Sequence, residues 1–283
     1  MNEKFQFKKK FGQNFLKNEK VLAKIVEAAD IKDESLIIEV GPGAGALTKY
    51  LKDKGEVLCY EIDKTLEDIL IRNLGGADNI SIYFGDFLQQ DIKEDLADYQ
   101  YKNLYFVSNV PYYITTPILF KLINSGLYFS KIVMMVQKEV GERFTSTPGK
   151  KEYGALTVLL RYYFDTKKEF LVSREEFIPK PNVDSIVVSF KPKETKEKLM
   201  SEKFFQQIVH DSFQFKRKTL RNNLKKYDLK SNEVASIGDQ LLTDINGGNK
   251  MKITTILVNP MSEIDETETW LNRQIEKAIF KKY

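Results

Sequence analysis

Three short stretches hold residues whose types and spacing can do chemistry. The first, Gly41-Pro42-Gly43-Ala44-Gly45, joins an apolar run, Leu36–Val40, to a segment with Leu47, Tyr50 and Leu51 at helical spacing. Glycines at a strand-to-helix turn let the backbone approach a ligand closely, and the helix start offers unpaired N–H groups. The spacing is not Gly-x-Gly-x-x-Gly, and no Gly-Lys-Ser/Thr follows, so a P-loop is excluded. The second stretch is acidic. Glu61 lies about 20 residues after Gly41, at the end of the run Val57–Tyr60, where a carboxylate can accept both ribose hydroxyls. Asp86 closes the next run, Ile80–Phe84, and can accept a hydrogen bond from an adenine amino group. A nucleoside site without a phosphate cradle points to S-adenosylmethionine as cofactor.

The third stretch, Asn109-Val110-Pro111-Tyr112, closes the run Leu104–Val107. An exocyclic amine on a base is a poor nucleophile because its lone pair is delocalised into the ring. Two acceptors aimed at its two hydrogens favour a pyramidal nitrogen. The Asn109 side-chain oxygen and the Pro111 carbonyl can supply them, and proline fixes φ so that the carbonyl direction is set in advance. Tyr112 can stack on the base, a contact worth about 1–3 kcal/mol, once the base has left its own stack. Alone, Asn-x-Pro-Tyr also fits an ordinary turn with a surface tyrosine. Its place beside a nucleoside site favours the chemical reading.

The elements that must position these residues alternate. Asn18 can cap a helix over Glu19–Ala29, strands are expected at the four runs above and at Ile132–Val136, and helices lie between them. That alternation reads as an α/β fold with a mainly parallel sheet covered on both faces, whose ligand lies beyond the carboxyl ends of the strands. From about Tyr153 the pattern reads as β-rich: Leu156–Tyr163, Phe170–Val172 and Ile186–Phe190. A polar linker after Pro192 leads to a helix expected over about Glu202–Tyr227. The chain has 283 residues, 42% apolar, enough for a large core. One cysteine, Cys59, rules out a disulfide framework and reads as a small buried residue; one histidine, His210, removes nearly all His-based metal sites and triads. No run approaches the ~20 apolar residues of a membrane span, and a monomeric, cytoplasmic protein with no membrane partner is expected.

With these motifs in view the chain resembles the small-subunit ribosomal RNA adenine N6,N6-dimethyltransferases, the kasugamycin-sensitivity family. The matching stretches include Phe11-Gly-Gln-Asn-Phe-Leu16, Glu39-Val-Gly-Pro-Gly-Ala-Gly45, Tyr60-Glu-Ile-Asp63, Asn109-Val-Pro-Tyr-Tyr-Ile-Thr-Thr-Pro117, Gln137-Lys-Glu-Val-Gly-Glu-Arg143, Phe177-Ile-Pro-Lys-Pro-Asn-Val-Asp-Ser185 and Phe215-Lys-Arg-Lys-Thr-Leu-Arg221. The resemblance implies a Rossmann-like S-adenosylmethionine-dependent methyltransferase fold over 1–191, with a helical RNA-binding region beginning at 192–228. It implies that Asn14, Leu16, Gly41, Glu61, Asp86 and Asn109 line the cofactor site, that Asn109, Pro111 and Tyr112 hold the target adenine, and that Phe177 is a second aromatic wall for that base. The implied reaction is direct methyl transfer, without a metal, to N6 of two adjacent adenines near the 3′ end of 16S rRNA, giving N6,N6-dimethyladenosine. The implied partner is the immature 30S particle. No general base stands beside Asn109 in the sequence, which suits a proton lost to solvent.

Basic residues exceed acidic ones by only 44 to 40, but the excess is clustered. Lys8, Lys9 and Lys10 near the N-terminus, and Lys216, Arg217, Lys218 and Arg221, in a stretch without acids, form an expected phosphate-contacting surface. After about Asp228 the family resemblance stops. The tail, 229–283, is similar to a fragment of a haloacid-dehalogenase-superfamily phosphatase, with Gly238-Asp239 to Asp244 as its motif, and a small strand–helix–strand–helix unit is expected there. It lacks the upstream Asp-x-Asp nucleophile. Two other readings are a large-subunit 23S rRNA adenine methyltransferase of the macrolide-resistance type, and a weakly catalytic ribosome-assembly factor. Gln137-Lys-Glu139 and Tyr153-Gly154 favour the small-subunit family.

Overall fold

The structure is a computed structural model. It describes residues 14–194, 199, 201–214, 231–233, 235–238, 245–250 and 252–257. The chain divides into two units, Met1–His210 and Asp211–Tyr283.

The first unit is built on seven strands. In chain order they are β2 (Ser35–Val40), β3 (Glu56–Glu61), β4 (Ile80–Phe84), β5 (Asn103–Asn109), β6 (Lys131–Gln137), β7 (Phe164–Val172) and β9 (Ser185–Pro192). Their order across the sheet is β4-β3-β2-β5-β6-β9-β7. β4, β3, β2, β5 and β6 pair in parallel, whereas β9 runs antiparallel to both β6 and β7. A two-stranded antiparallel pair, β1 (Phe15–Leu16) with β8 (Phe177–Ile178), stands apart from this sheet.

The central strands are apolar on both faces, as strands covered twice must be. Side-chain alternation sends Leu36, Ile38, Leu58, Tyr60, Phe106 and Met134 to one face, and Ile37, Val57, Cys59, Tyr105, Val107 and Met135 to the other. The first face packs on Ile118, Leu119 and Leu122 of α5 (Thr115–Asn124), on Phe144 of α6 (Lys138–Phe144) and on Leu160 of α7 (Ala155–Tyr163). The second packs on Leu22, Ile25 and Val26 of α1 (Glu19–Ala29) and on Leu51 of α2 (Thr48–Leu51). Asn18 caps α1, its side-chain oxygen accepting from Lys20 N–H at 2.9 Å. The edge strand β4 is only half-buried, and the opposite edge, β7, carries exposed Lys167 and Lys168, charges that discourage pairing with another chain.

Residues 156–163, expected as β-rich, form α7 instead. The reason lies in its buried positions: Thr157 with Leu160, and Leu159 with Tyr163, repeat at three and four residues, and Thr157 Oγ donates to the Arg143 carbonyl at 2.7 Å. The helix expected over Glu202–Tyr227 is observed as α8 (Glu202–Phe213), and its remainder lies outside the described residues. His210 is exposed and Cys59 is fully buried. In the second unit, β10 (Ala235–Gly238) and β11 (Thr254–Leu257) pair in parallel, with the short helix α9 (Asn246–Lys250) between them in sequence.

Packing against β9 is tight at one position. A Cβ at Gly141 would sit 2.2 Å from Ile186 Cγ2 and 3.0 Å from Val188 Cγ2. Both neighbours are buried and β-branched, with little rotamer freedom to yield. Gly141→Ala is expected to lose about 1–3 kcal/mol by overpacking. Urea denaturation reads this, and an unchanged midpoint would contradict it.

Candidate active site

Strand order reverses between β2 and β5, and the carboxyl ends of these two strands face a common cleft. Ligands of open α/β sheets bind at such a point. Ser108 Oγ of β5 donates to the Val40 carbonyl of β2 at 2.6 Å, tying the strands together where they end.

The glycine turn follows β2. Gly41 N–H donates to the Tyr60 carbonyl at 2.8 Å, and Gly43 N–H donates to Glu61 Oε2 at 3.1 Å. Gly43 has φ +61°, and a Cβ there would lie 2.5 Å from the Phe15 ring, so both conformation and contact demand glycine. The other oxygen of Glu61 accepts from Asp63 N–H at 2.8 Å. Glu61 is 4% exposed. Burial pushes its pKa up, opposed by the Asp63 and Gly43 amides. Each oxygen keeps further acceptor capacity for a ligand hydroxyl. Asp86 caps the turn after β4, its Oδ1 accepting from Leu88 N–H at 2.9 Å. Beneath the turn, Glu39 is buried and accepts from Thr48 Oγ at 2.7 Å.

On the β5 side, Asn109 Nδ2 donates to the Asn14 carbonyl at 3.5 Å, which commits its amide end and leaves Oδ1 as acceptor. The Pro111 carbonyl accepts from Ile114 N–H at 3.1 Å, closing a single 3-10 turn and using one of its two lone pairs. The preceding carbonyl, that of Val110, accepts no backbone hydrogen bond among the described residues and is a second candidate acceptor. Tyr112 Oη and Ser185 Oγ of β9 are 2.7 Å apart, which fixes the Tyr112 ring. Burial raises the Tyr112 pKa. The β1–β8 pair holds the N-terminal strap in place, helped by Asn18 Nδ2 donating to Glu176 Oε2 at 2.8 Å.

Asn14, Leu16, Gly41, Glu61, Asp86, Asn109, Pro111 and Tyr112 all line the cleft. Phe177 does not. It is 2% exposed, opposite Leu16 in the β1–β8 pair and packed in the core. Its hydrophobic register with Leu16 draws it inward, and no ring face is presented to the cleft. Lys8, Lys9, Lys10, Lys216, Arg217, Lys218 and Arg221 lie outside the described residues. Among the lining residues that the sequence reading gave no role, two are large, apolar or aromatic, and exposed. Ile62 and Tyr113 are 43% and 54% exposed, and each immediately follows a residue that was singled out. Among the described lining residues Glu39, Glu61 and Asp86 are carboxylic and none is Lys or Arg. That lining suits a nucleoside carrying a cationic sulfonium and does not suit a phosphate chain. No cluster of three metal-ligating side chains occurs among the described residues.

A family model described as ribosomal RNA adenine dimethylase matches residues 4–256. A Streptococcus gordonii protein named ribosomal RNA small subunit methyltransferase A is 43% identical over 246 residues, 86% of this chain and 85% of that one. A Lactococcus lactis protein of the same name is 43% identical over 78% of this chain and 76% of its own. Among solved structures, a dimethyladenosine transferase from Plasmodium falciparum superposes with a TM-score of 0.64 at 31% identity, covering 75% of this chain and 74% of that one. The 23S rRNA methyltransferase ErmE gives 0.62 at 27% identity, covering 75% and 84%. These matches correct the reading of the tail. The family model runs past Gly238-Asp239 and Asp244 to residue 256, so the resemblance does not stop at Asp228 and the likeness to a phosphatase fragment is not borne out.

The buried Glu39 makes a pH dependence. Burial, and secondarily the nearby Glu61 carboxylate, push its pKa up to about 8, against a pull downward from Thr48 and Cys59. Below the ordinary carboxyl value of 4.5 both folded and unfolded chains hold the proton, and the site's contribution is fully present. Between there and about 8 only the folded chain holds it, so that contribution is lost as pH rises, by at most about 1.4 kcal/mol per unit. Glu39→Gln removes the titration. Its stability relative to the natural protein is expected to improve from pH 5 to pH 8.5 in urea denaturation; a constant difference would refute the assignment.

Proposed function

Because the chain belongs to the ribosomal RNA adenine dimethylase family, and is an S-adenosylmethionine-dependent adenine dimethyltransferase of small-subunit rRNA, we propose that it works through the cleft between β2 and β5, on two adjacent adenines near the 3′ end of 16S rRNA. One observation carries this reading: the nucleoside half (Gly41, Gly43, Glu61, Asp86) and the amine-handling half (Asn109, Pro111, Tyr112) line one cleft without a positive charge among its described residues.

When bound, S-adenosylmethionine supplies an electrophilic methyl group on a sulfonium centre. Glu61 accepts the ribose hydroxyls, and its two backbone donors hold it in place for that task. Asp86 accepts from the adenine amine of the cofactor, and the Gly41–Gly45 turn gives its backbone close approach. Asn14 and Leu16, on the strap, close the cleft over the methionine side. On the other side, Asn109 Oδ1 and a carbonyl of the Val110–Pro111 turn accept the two N6 hydrogens of the target base. That pairing pulls N6 toward a pyramidal geometry and frees its lone pair. Tyr112, held by Ser185, offers a preset face on which the flipped base stacks. Neither an amide oxygen nor a carbonyl takes up a proton at neutral pH, so the N6 proton leaves to water.

The basic residues Lys8, Lys9, Lys10, Lys216, Arg217, Lys218 and Arg221 are the proposed phosphate contacts. The substrate form is an immature 30S particle, met by a monomer in the cytoplasm; among the described residues no helix is long and apolar enough to cross a membrane.

The test is incubation of the purified protein with labelled S-adenosylmethionine and under-methylated ribosomal subunits, followed by mapping of N6,N6-dimethyladenosine. Label is expected in two adjacent adenines of the small subunit, and label in the large subunit would move the substrate assignment. Asn109→Ala is expected to slow transfer by about 10²–10³-fold, the cost of deleting one positioned hydrogen-bonding group, while rRNA association persists. Retained transfer in that variant would remove Asn109 from the mechanism.

A further inference from the structure

The turn after β5 carries two consecutive tyrosines, and only the first has a role so far. Tyr112 is tied through its hydroxyl to Ser185, on β9, three strands to one side of β2 in the sheet. Tyr113 lines the same cleft. Its hydroxyl lies within electrostatic reach of Asp86 and Glu61, which close β4 and β3 on the opposite side of β2. Partial burial, then Asp86, then Glu61 raise its pKa. The ring lines the cleft yet is 54% exposed, and the hydroxyl makes no hydrogen bond among the described residues. Ile62, also apolar, 43% exposed and lining the cleft, reaches it from β3, on the far side of β2 from β5. An exposed ring with an unused donor, above two carboxylates already placed around a nucleoside, is an arrangement that a ligand completes.

We propose that Tyr113 is a cofactor-binding residue: its ring roofs the nucleoside half of the cleft, so that the tandem Tyr112-Tyr113 divides the site, one ring for the target base and the next for the methyl donor. This rests on the assignment of the nucleoside half to Glu61 and Asp86. The division follows from the backbone. The 3-10 turn over Tyr112–Ile114 turns successive side chains apart by about 120°, so that neighbours can serve different parts of one cleft, where a strand would send them to opposite faces of the sheet. Base and cofactor can then be gripped from a single turn, and the cofactor side is capped by a residue that does not touch the RNA.

Calorimetric titration of S-adenosylhomocysteine, the demethylated product, into Tyr113→Ala, Tyr113→Phe and Glu61→Gln tests both layers. Tyr113 is half-exposed, so its truncation leaves the core intact. Tyr113→Ala is expected to weaken binding at least ten-fold and Tyr113→Phe less than three-fold, because the ring carries the roof. KM for under-methylated small subunits is expected to stay within two-fold in both. Glu61→Gln is expected to weaken binding as Tyr113→Ala does. If Tyr113→Ala binds normally while Glu61→Gln does not, the roof is overturned and the site stands. If both bind normally, the nucleoside assignment falls and the roof falls with it. Normal product binding with a raised KM for subunits would place Tyr113 on the RNA side, which also overturns the proposal.

Discussion

The carboxylate of Glu61 is the joint on which the site depends. It ends β3, is almost wholly buried, and accepts one backbone N–H from the glycine turn and another from its own strand end. Taking a carboxylate out of water is costly unless donors replace the lost solvent. Here the two amides do so, and in doing so they fix the glycine turn against β3. A side chain of another length at that position would leave the Gly43 amide without this acceptor. The carboxylate proposed to meet the ligand is thus also the group that shapes the loop around it.

Around that joint the site draws on distant parts of the chain. Asn14 on the N-terminal strap meets Asn109 at the end of β5, and Asn18 meets Glu176 beside β8. Tyr112 is held from β9 by Ser185. Each contact is single and polar, whereas the sheet beneath is held by two continuous apolar faces. The division of labour is physical. Non-directional burial makes the platform stable, and a few directional bonds decide where the reacting groups point.

The lining chemistry also bears on selectivity. Three carboxylic side chains and no described cation surround the cleft. A nucleotide would bring phosphate charge against those groups, and the helix start after the glycine turn is too short to offset it. A sulfonium nucleoside brings no phosphate charge against them.

The sequence by itself determined the platform and the inventory of the site. Apolar runs of strand length set the parallel core, and the glycine turn, Glu61, Asp86 and Asn109-Val110-Pro111-Tyr112 were legible because each closes such a run and so falls at a strand's carboxyl end. These are local signals. Tertiary structure alone decided the rest. The segment Leu156–Tyr163 reads as strand from its composition and becomes helix because Thr157, Leu159, Leu160 and Tyr163 bury together at helical spacing. Phe177 turned inward because pairing with Leu16 set its face. The different neighbours of Tyr112 and Tyr113, the burial of Glu39 and the occupied lone pair of Pro111 follow from which partner each side chain or carbonyl meets in the folded chain. Strand periodicity is written into consecutive residues, whereas a side chain's direction at a strand end is set by partners tens of residues away.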